Sequence, residues 1–283
     1  MIVKERKISP PPAGHTTGPI SDFGLFFLTR GRFLIIMRII RKKMNISIHQ
    51  PQYLPWLGYF DKIESAESFV LLDNVQFAKG SFQNRNRIRT KDGWIWLTVP
   101  VITKGHFGQA LNEVEINNKV CWQHKHWQSI KINYNRAKHF KEHGPFLDAV
   151  YFKRWDRLVD LNIFITKYIL SYLGIERKIY FASHLKIDGN STDRLINICK
   201  CLNADTYLSG TGAYDYIDAA KFTKEKIKLK FQDFTHPAYN QLYHPFIPYM
   251  SIMDLIFNYG QKSLSILSGK LEHEYISDRG ASG

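Results

Sequence analysis

Two segments of this chain concentrate side chains that move protons or hold anions. The first is His49-Gln50-Pro51-Gln52-Tyr53-Leu54-Pro55-Trp56-Leu57-Gly58-Tyr59. A histidine titrates near neutral pH, so His49 is a candidate general base. Gln50, Tyr53, Trp56 and Tyr59 supply polar tips and flat faces for a substrate. The prolines hold these groups in place at little entropic cost. The competing reading of His49 is a core histidine satisfied by backbone.

The second segment is Asp73–Arg89, rich in donors: Gln76, Lys79, Asn84, Arg85, Arg87. Asp73 ends an apolar run, a usual place for a functional carboxylate. Arginine grips carboxylate or phosphate with two parallel bonds, and amides and aromatics interleave with the arginines here. This favours a binding loop over a merely solvated basic one. A third candidate is Ser209-Gly210-Thr211-Gly212, a strand-to-helix turn whose N–H groups could meet an anion. It is neither a Walker loop nor G-x-G-x-x-G.

Two patterns are weaker. His139-Phe140-Lys141-Glu142-His143 matches H-x-x-E-H, an inverted zinc-protease signature. Gly144-Pro145 follows at once and cationic Arg136, Lys138 and Lys141 surround it, so no metal is expected. Cys199-x-Cys201 lacks the second pair of a zinc site. Three cysteines build no disulfide framework and fit a reducing, cytoplasmic setting.

The elements that must position these residues read as α/β. Ile46–His49 is a strand, Tyr59–Ala66 a helix and Ser68–Asp73 a buried strand. Trp94–Val101 is a strand after an Asp92-Gly93 turn. Asn117–Tyr134 and Phe146–Leu173 read as helices, the second closed by Gly174. Strands at Lys178–Ser183, Ala204–Leu208 and Ile227–Phe231 alternate with helices at Ser191–Leu202 and Tyr214–Phe222. That rhythm predicts a Rossmann-like parallel sheet flanked by helices. The His49 loop would then lie at the carboxyl end of the first strand, where open sheets bind ligands.

The chain has 283 residues, 44% of them hydrophobic, and a net charge of +14. Half of that excess lies in residues 1–43, which also carry Pro10-Pro11-Pro12. The remaining excess is modest and no nucleic-acid module is present, so nucleic acid is not the expected partner. The apolar stretch Phe23–Ile40 is broken by Arg30, Arg32 and Arg38 and is no spanning helix; peripheral membrane contact is the most it suggests. Residues 1–43 read as a disordered or non-native extension, and 44–283 as one α/β domain beginning at Met44.

Several runs resemble one family. His49-Gln50-Pro51-x-Tyr53-x-Pro55-Trp56-x-Gly58-Tyr59, Asp73-x-x-Gln76-Phe77, Phe82-x-Asn84-Arg85-x-x-Ile88 and Trp96-Leu97-Thr98-Val99-Pro100 look like the WbqC-like family. So do Asp193-Arg194-Leu195, Tyr207-Leu208-Ser209-Gly210, Pro237-x-Tyr239-x-Gln241 and Ser251-x-x-Asp254-Leu255-x-Phe257-Asn258-x-Gly260. The likeness runs from about Met44 to Leu267. It implies a role in bacterial surface-polysaccharide (O-antigen) synthesis, as a transferase of glycine or another acyl group onto an amino sugar. His49 would deprotonate the sugar amine, and Asp73 would orient that amine or a bound metal–nucleotide. Asn84 and Arg85 would hold a phosphate or carboxylate, with Ser209 and Gly210 offering N–H groups. ATP or a nucleotide-sugar is the co-substrate this implies. The opening strand, loop and helix are also similar to nucleotidylyltransferases of the H-x-G-H type, with Trp56-Leu57-Gly58-Tyr59 in that place and both histidines lost. Activation of a carboxylate by ATP, or non-catalytic binding of a nucleotide-sugar or glycan, are the alternatives.

Overall fold

A computed structural model describes residues 43–270. The sequence expectations for 1–42 lie outside the described residues.

Period-two alternation builds the centre of the molecule. In β1 (Asn45–His49), Ile46 and Ile48 point to one side and Ser47 to the other. In the neighbouring β2 (Ser68–Leu71), Val70 joins the first side while Phe69 and Leu71 face the second. Both faces are covered, as parallel sheets require. One carries α1 (Leu57–Glu64) and α4 (Leu158–Leu173), which bury Leu57, Phe60, Ile63, Leu161, Ile165 and Ile169. The other carries α5 (Ala182–Leu185), α6 (Ser191–Cys201) and α7 (Ala219–Lys224), which bury Ala182, Leu195, Ile198, Cys199 and Phe222.

Five strands form the sheet, all parallel, in the order β5-β2-β1-β6-β7, where β5 is Lys178–Phe181, β6 is Thr206–Ser209 and β7 is Lys228–Phe231. The chain builds outward from β1 to β5, then returns to pair β6 with the other edge of β1. The strand order therefore reverses between β1 and β6. This is the Rossmann-like α/β fold expected from the sequence.

Between β2 and β5 the chain leaves the sheet. It forms an antiparallel hairpin of β3 (Arg85–Thr90) and β4 (Gly93–Thr98), then α2 (Trp122–Tyr134), α3 (Gly144–Tyr151) and α4. The continuous helix expected over 146–173 is two helices. Residues 156–158 turn aside because their backbone pairs with 114–116, Ile116 N donating to Asp156 O and Leu158 N to Val114 O. Likewise, the helix expected over 214–222 is a single turn at Thr211–Ala213 followed by α7. The strand expected to reach Val101 stops at Thr98, ahead of Pro100.

After β7 the chain crosses back over the hairpin to α8 (Ile252–Tyr259) and α9 (Ser263–Leu267). A buried polar knot fixes this return. Asp254 accepts hydrogen bonds from Tyr134, Tyr239 and Gln241, each 2.8 Å. Arg89, almost fully buried, spends its donors on Gln241 Oε1 and on the carbonyls of Thr90, Gly93, Tyr243 and Pro245. Among the described residues no helix is long and apolar enough to cross a membrane.

Candidate functional site

The reversal between β1 and β6 opens a crevice at the carboxyl ends of the strands, where this topology places ligands. A cavity of about 130 Å³ occupies it. His49 ends β1, Gly210, Thr211 and Gly212 follow β6, and Gln232 and Phe234 follow β7. Trp56, Gly58, Tyr59 and Lys62 come from the start of α1.

His49 is held in one tautomer. Its Nδ1 lies 3.1 Å from Gln50 O, and a carbonyl only accepts, so Nδ1 carries the proton. Nε2 is left as a lone pair without a partner among the described residues. The ring stands edge-on to Tyr59, centroids 5.1 Å apart. Burial and the nearby Lys62 ammonium drive the imidazole pKa down to about 3. The histidine is therefore neutral at physiological pH, as a proton acceptor must be.

Lys62 is the other strong group. Only 2% of it is exposed. Its Nζ donates to Ile48 O at 3.3 Å and sits 3.6 Å from where a Cβ on Gly210 would lie. Among the described residues no carboxylate offsets its charge, and burial lowers its pKa to about 7. A cation so placed is complementary to an anion entering the crevice. Neighbouring Asp61 is not its partner: it accepts from Gln232 Nε2 at 2.5 Å, and the same amide donates to Gly58 O.

Trp56 forms the wall. Its indole meets Phe234 edge-on at 5.5 Å and Tyr249 at 5.9 Å. It also lies across Gly58, where a Cβ would come within 2.2–2.6 Å of three indole carbons. The glycine is thus what lets the indole fold down onto α1.

The structure gathers some of the sequence candidates and separates others. His49, Trp56, Tyr59 and Gly210 line the cavity. Ser209 is buried behind it, its hydroxyl donating to Gly210 O. Gln50 accepts from Gln83 Nε2 at 2.7 Å. Tyr53 is sealed in a hydrogen-bond chain with His126 and Tyr151, both 2.9 Å away. Asn84 joins the hairpin base, donating to Val99 O. Asp73 lies outside the cavity with both oxygens engaged: Oδ1 accepts from Ser183 N and Oδ2 from Ser183 Oγ, fixing the β5–α5 turn. Gln76 is exposed and bridges to Ala110. Arg85 lies over Trp96 on the hairpin, 4.3 Å from the ring centroid.

Lys62, Gln232 and Phe234 escaped the sequence reading. Lys62 did carry a signal, a charge one turn after Tyr59 on the apolar stripe of α1. Gln232 and Phe234 are marked only by position after β7.

Other features pair among themselves or lie away from the crevice. In the H-x-x-E-H run, His139 Nδ1 pairs with Glu142 at 2.6 Å, Tyr172 donates to the same carboxylate, and His143 pairs with Tyr168. Cys199 is buried, with its thiol pushed up to about 12. A roomier hollow, about 600 Å³, lies beside Lys167, Gly174 and Lys178 at the amino end of β5. It is a solvated groove at the wrong end of the sheet for ligand chemistry, and its Arg177 is spent on Glu64.

Comparison with known proteins agrees with the motifs. The model of the WbqC-like protein family matches residues 50–266. A Mycobacterium tuberculosis protein named Uncharacterized protein Rv1507c is 36% identical over 221 residues, covering 77% of this chain and 95% of that protein. No solved structure matches.

Proposed function

This chain belongs to the WbqC-like family, and on that premise we propose that it is a transferase acting in bacterial surface-polysaccharide synthesis. It would add glycine or another acyl group to an amino sugar, one partner being carried on a phosphate. The observation that carries this reading is the pairing of an uncompensated buried cation, Lys62, with the free Nε2 lone pair of His49 in the β1–β6 crevice. Lys62 anchors the anion. The amine nitrogen attacks the acyl carbonyl, the new N–C bond forms as the bond to the leaving group breaks, and His49 Nε2 takes the proton released from nitrogen. An anion on Lys62 cancels part of what depresses the imidazole, so substrate itself makes His49 a better base.

One observation favours a second reading. Trp56 and Tyr59, at the two histidine positions of the H-x-G-H pattern, both line the cavity. An ATP-dependent activation of a carboxylate would use the same crevice. Thermal shift of the full chain with UDP-glucosamine, ATP and glycine separates them. A ligand at 100 times its Kd adds about 2.7 kcal/mol of stability. A shift with UDP-glucosamine, lost in Lys62→Met, supports the transferase. A shift with ATP alone supports carboxylate activation. A shift with none of them, or one that Lys62→Met leaves intact, defeats both. His49→Ala should abolish turnover and spare binding.

A further inference from the structure

The β3–β4 hairpin turns a row of cations and indoles outward. Arg85, Arg87 and Arg89 alternate along β3, and Arg87 lies opposite Trp96 and Arg89 opposite Trp94, so all five share one face. Beside the turn, Arg89 is sealed in the polar knot. The rings on the same face are open: Trp94 is 40% exposed, Trp96 37% and the adjacent Phe82 39%. Arg85 and Arg87 lie over these rings, at 4.3 Å from Trp96 and 5.0 Å from Trp94. The rings hold the guanidinium groups in place. Neither arginine has a carboxylate partner among the described residues.

This face is continuous with the crevice. Arg87 donates to Tyr249 O at 3.1 Å, the Tyr249 ring is 5.9 Å from Trp56, and Trp56 is the cavity wall. The cavity is far smaller than the roughly 300–1,000 Å³ of sites that enclose a whole small molecule. Any larger substrate must extend outside it.

We propose that the outer face of the hairpin is the acceptor subsite, binding an oligosaccharide that carries carboxylate or phosphate groups and feeding its reactive sugar past Tyr249 and Trp56. The choice of a saccharide rests on the transferase reading. The two guanidinium groups, which have no carboxylate partner among the described residues, fix the sign of its charge. The ring geometry argues against nucleic acid. Trp94 and Trp96 meet at 82° and Phe82 and Trp96 at 54°, with guanidinium over the indoles. Successive bases need free faces on which to stack. Sugar rings need only one apolar face beside donors at the edge.

The test titrates the full chain, by calorimetry and tryptophan fluorescence, with hexamers of hyaluronan, polygalacturonate and polysialic acid. Neutral chitohexaose and a six-residue oligothymidylate are the controls. At least one acidic hexamer should bind saturably, more weakly at higher salt, and chitohexaose should not. Arg85→Gln with Arg87→Gln, and separately Trp96→Ala, should each raise Kd at least tenfold with unchanged far-ultraviolet circular dichroism. Failure of all three hexamers, equal binding by these variants, or tighter binding of the oligothymidylate would overturn the proposal. Lys62→Met separates the two readings, since it should lose the crevice ligand and keep the hexamer. If no crevice ligand binds but the hexamer does, the transferase reading falls and the hairpin site stands.

Discussion

Replacing Lys62 by methionine should stabilise the protein while disabling it. The side chain threads between α1 and the end of β1 with its charge unmatched. Its pKa falls from the ordinary 10.5 to about 7. At 1.36 kcal/mol per pH unit, folding pays about 5 kcal/mol to hold the charged form at low pH. The pKa is lowered on folding, so the unfolded chain binds the extra proton and stability rises with pH between these two values. Integrated, the penalty is about 4 kcal/mol at pH 7, about 2 kcal/mol at pH 9, and nearly absent at 10.5. Methionine has similar length and no charge. Urea unfolding followed by circular dichroism, on both proteins at pH 6, 7, 8 and 9, reads the difference directly. Groups common to both cancel, and His49 stays neutral throughout. The variant should lead by several kcal/mol at pH 6 and by about half that at pH 9. A variant less stable than the parent, or a gap independent of pH, would refute the account of Lys62 as an uncompensated buried cation.

Gly58→Ala places a methyl inside the Trp56 indole. It should displace the ring, cost about 1–3 kcal/mol, alter near-ultraviolet circular dichroism and remove crevice-ligand binding; an unchanged spectrum would contradict the packing described. Asp73→Ala removes two hydrogen bonds to Ser183. It should lower stability by about 2–3 kcal/mol and leave crevice-ligand Kd within twofold, whereas a catalytic Asp73 would show as lost turnover at normal stability. Asp254→Ala strips the acceptor from Tyr134, Tyr239 and Gln241 and should cost about 3–5 kcal/mol in urea unfolding; under about 1 kcal/mol would mean that the knot is not what fastens α8 to the hairpin.

The sheet was legible because its strands are locally distinct. Phe69-Val70-Leu71-Leu72 is continuously apolar, and Ile46 and Ile48 alternate ahead of a proline-shaped loop. Gly174 announced the end of α4, and its φ of +68° is the left-handed cap expected there. β3 was opaque for the opposite reason. RNRIRT has the composition of a solvated basic loop, yet Asn86, Ile88 and Arg89 are buried. What makes Arg89 tolerable inside is a set of carbonyls at 243 and 245, about 150 residues along the chain, and no local pattern encodes that. The break between α3 and α4 was hidden similarly, since it depends on pairing with 114–116. Within the crevice, His49, Trp56, Tyr59 and Gly210 could be read because they sit at strand ends and turns. Lys62 could not be ranked above any other helical lysine until the fold showed which side of α1 is buried. Asp73 invited a catalytic role by its position, and only the distant Ser183 shows where its oxygens go.

The reversal at β1 also governs how the chain must assemble. β2 follows β1 after 23 residues, but the other edge of β1 waits for β6, 161 residues later, where Ser47 Oγ donates to Leu208 O. Such long-range pairing slows folding. A chain emerging from the ribosome therefore carries an open, apolar central edge through most of its synthesis, the kind of surface that recruits chaperones or aggregates. That late-closing seam is the one that holds the crevice. A ligand bridging His49 on one side and Gly210 on the other would act as a clasp across it, so substrate should raise the yield of refolding as well as the melting temperature.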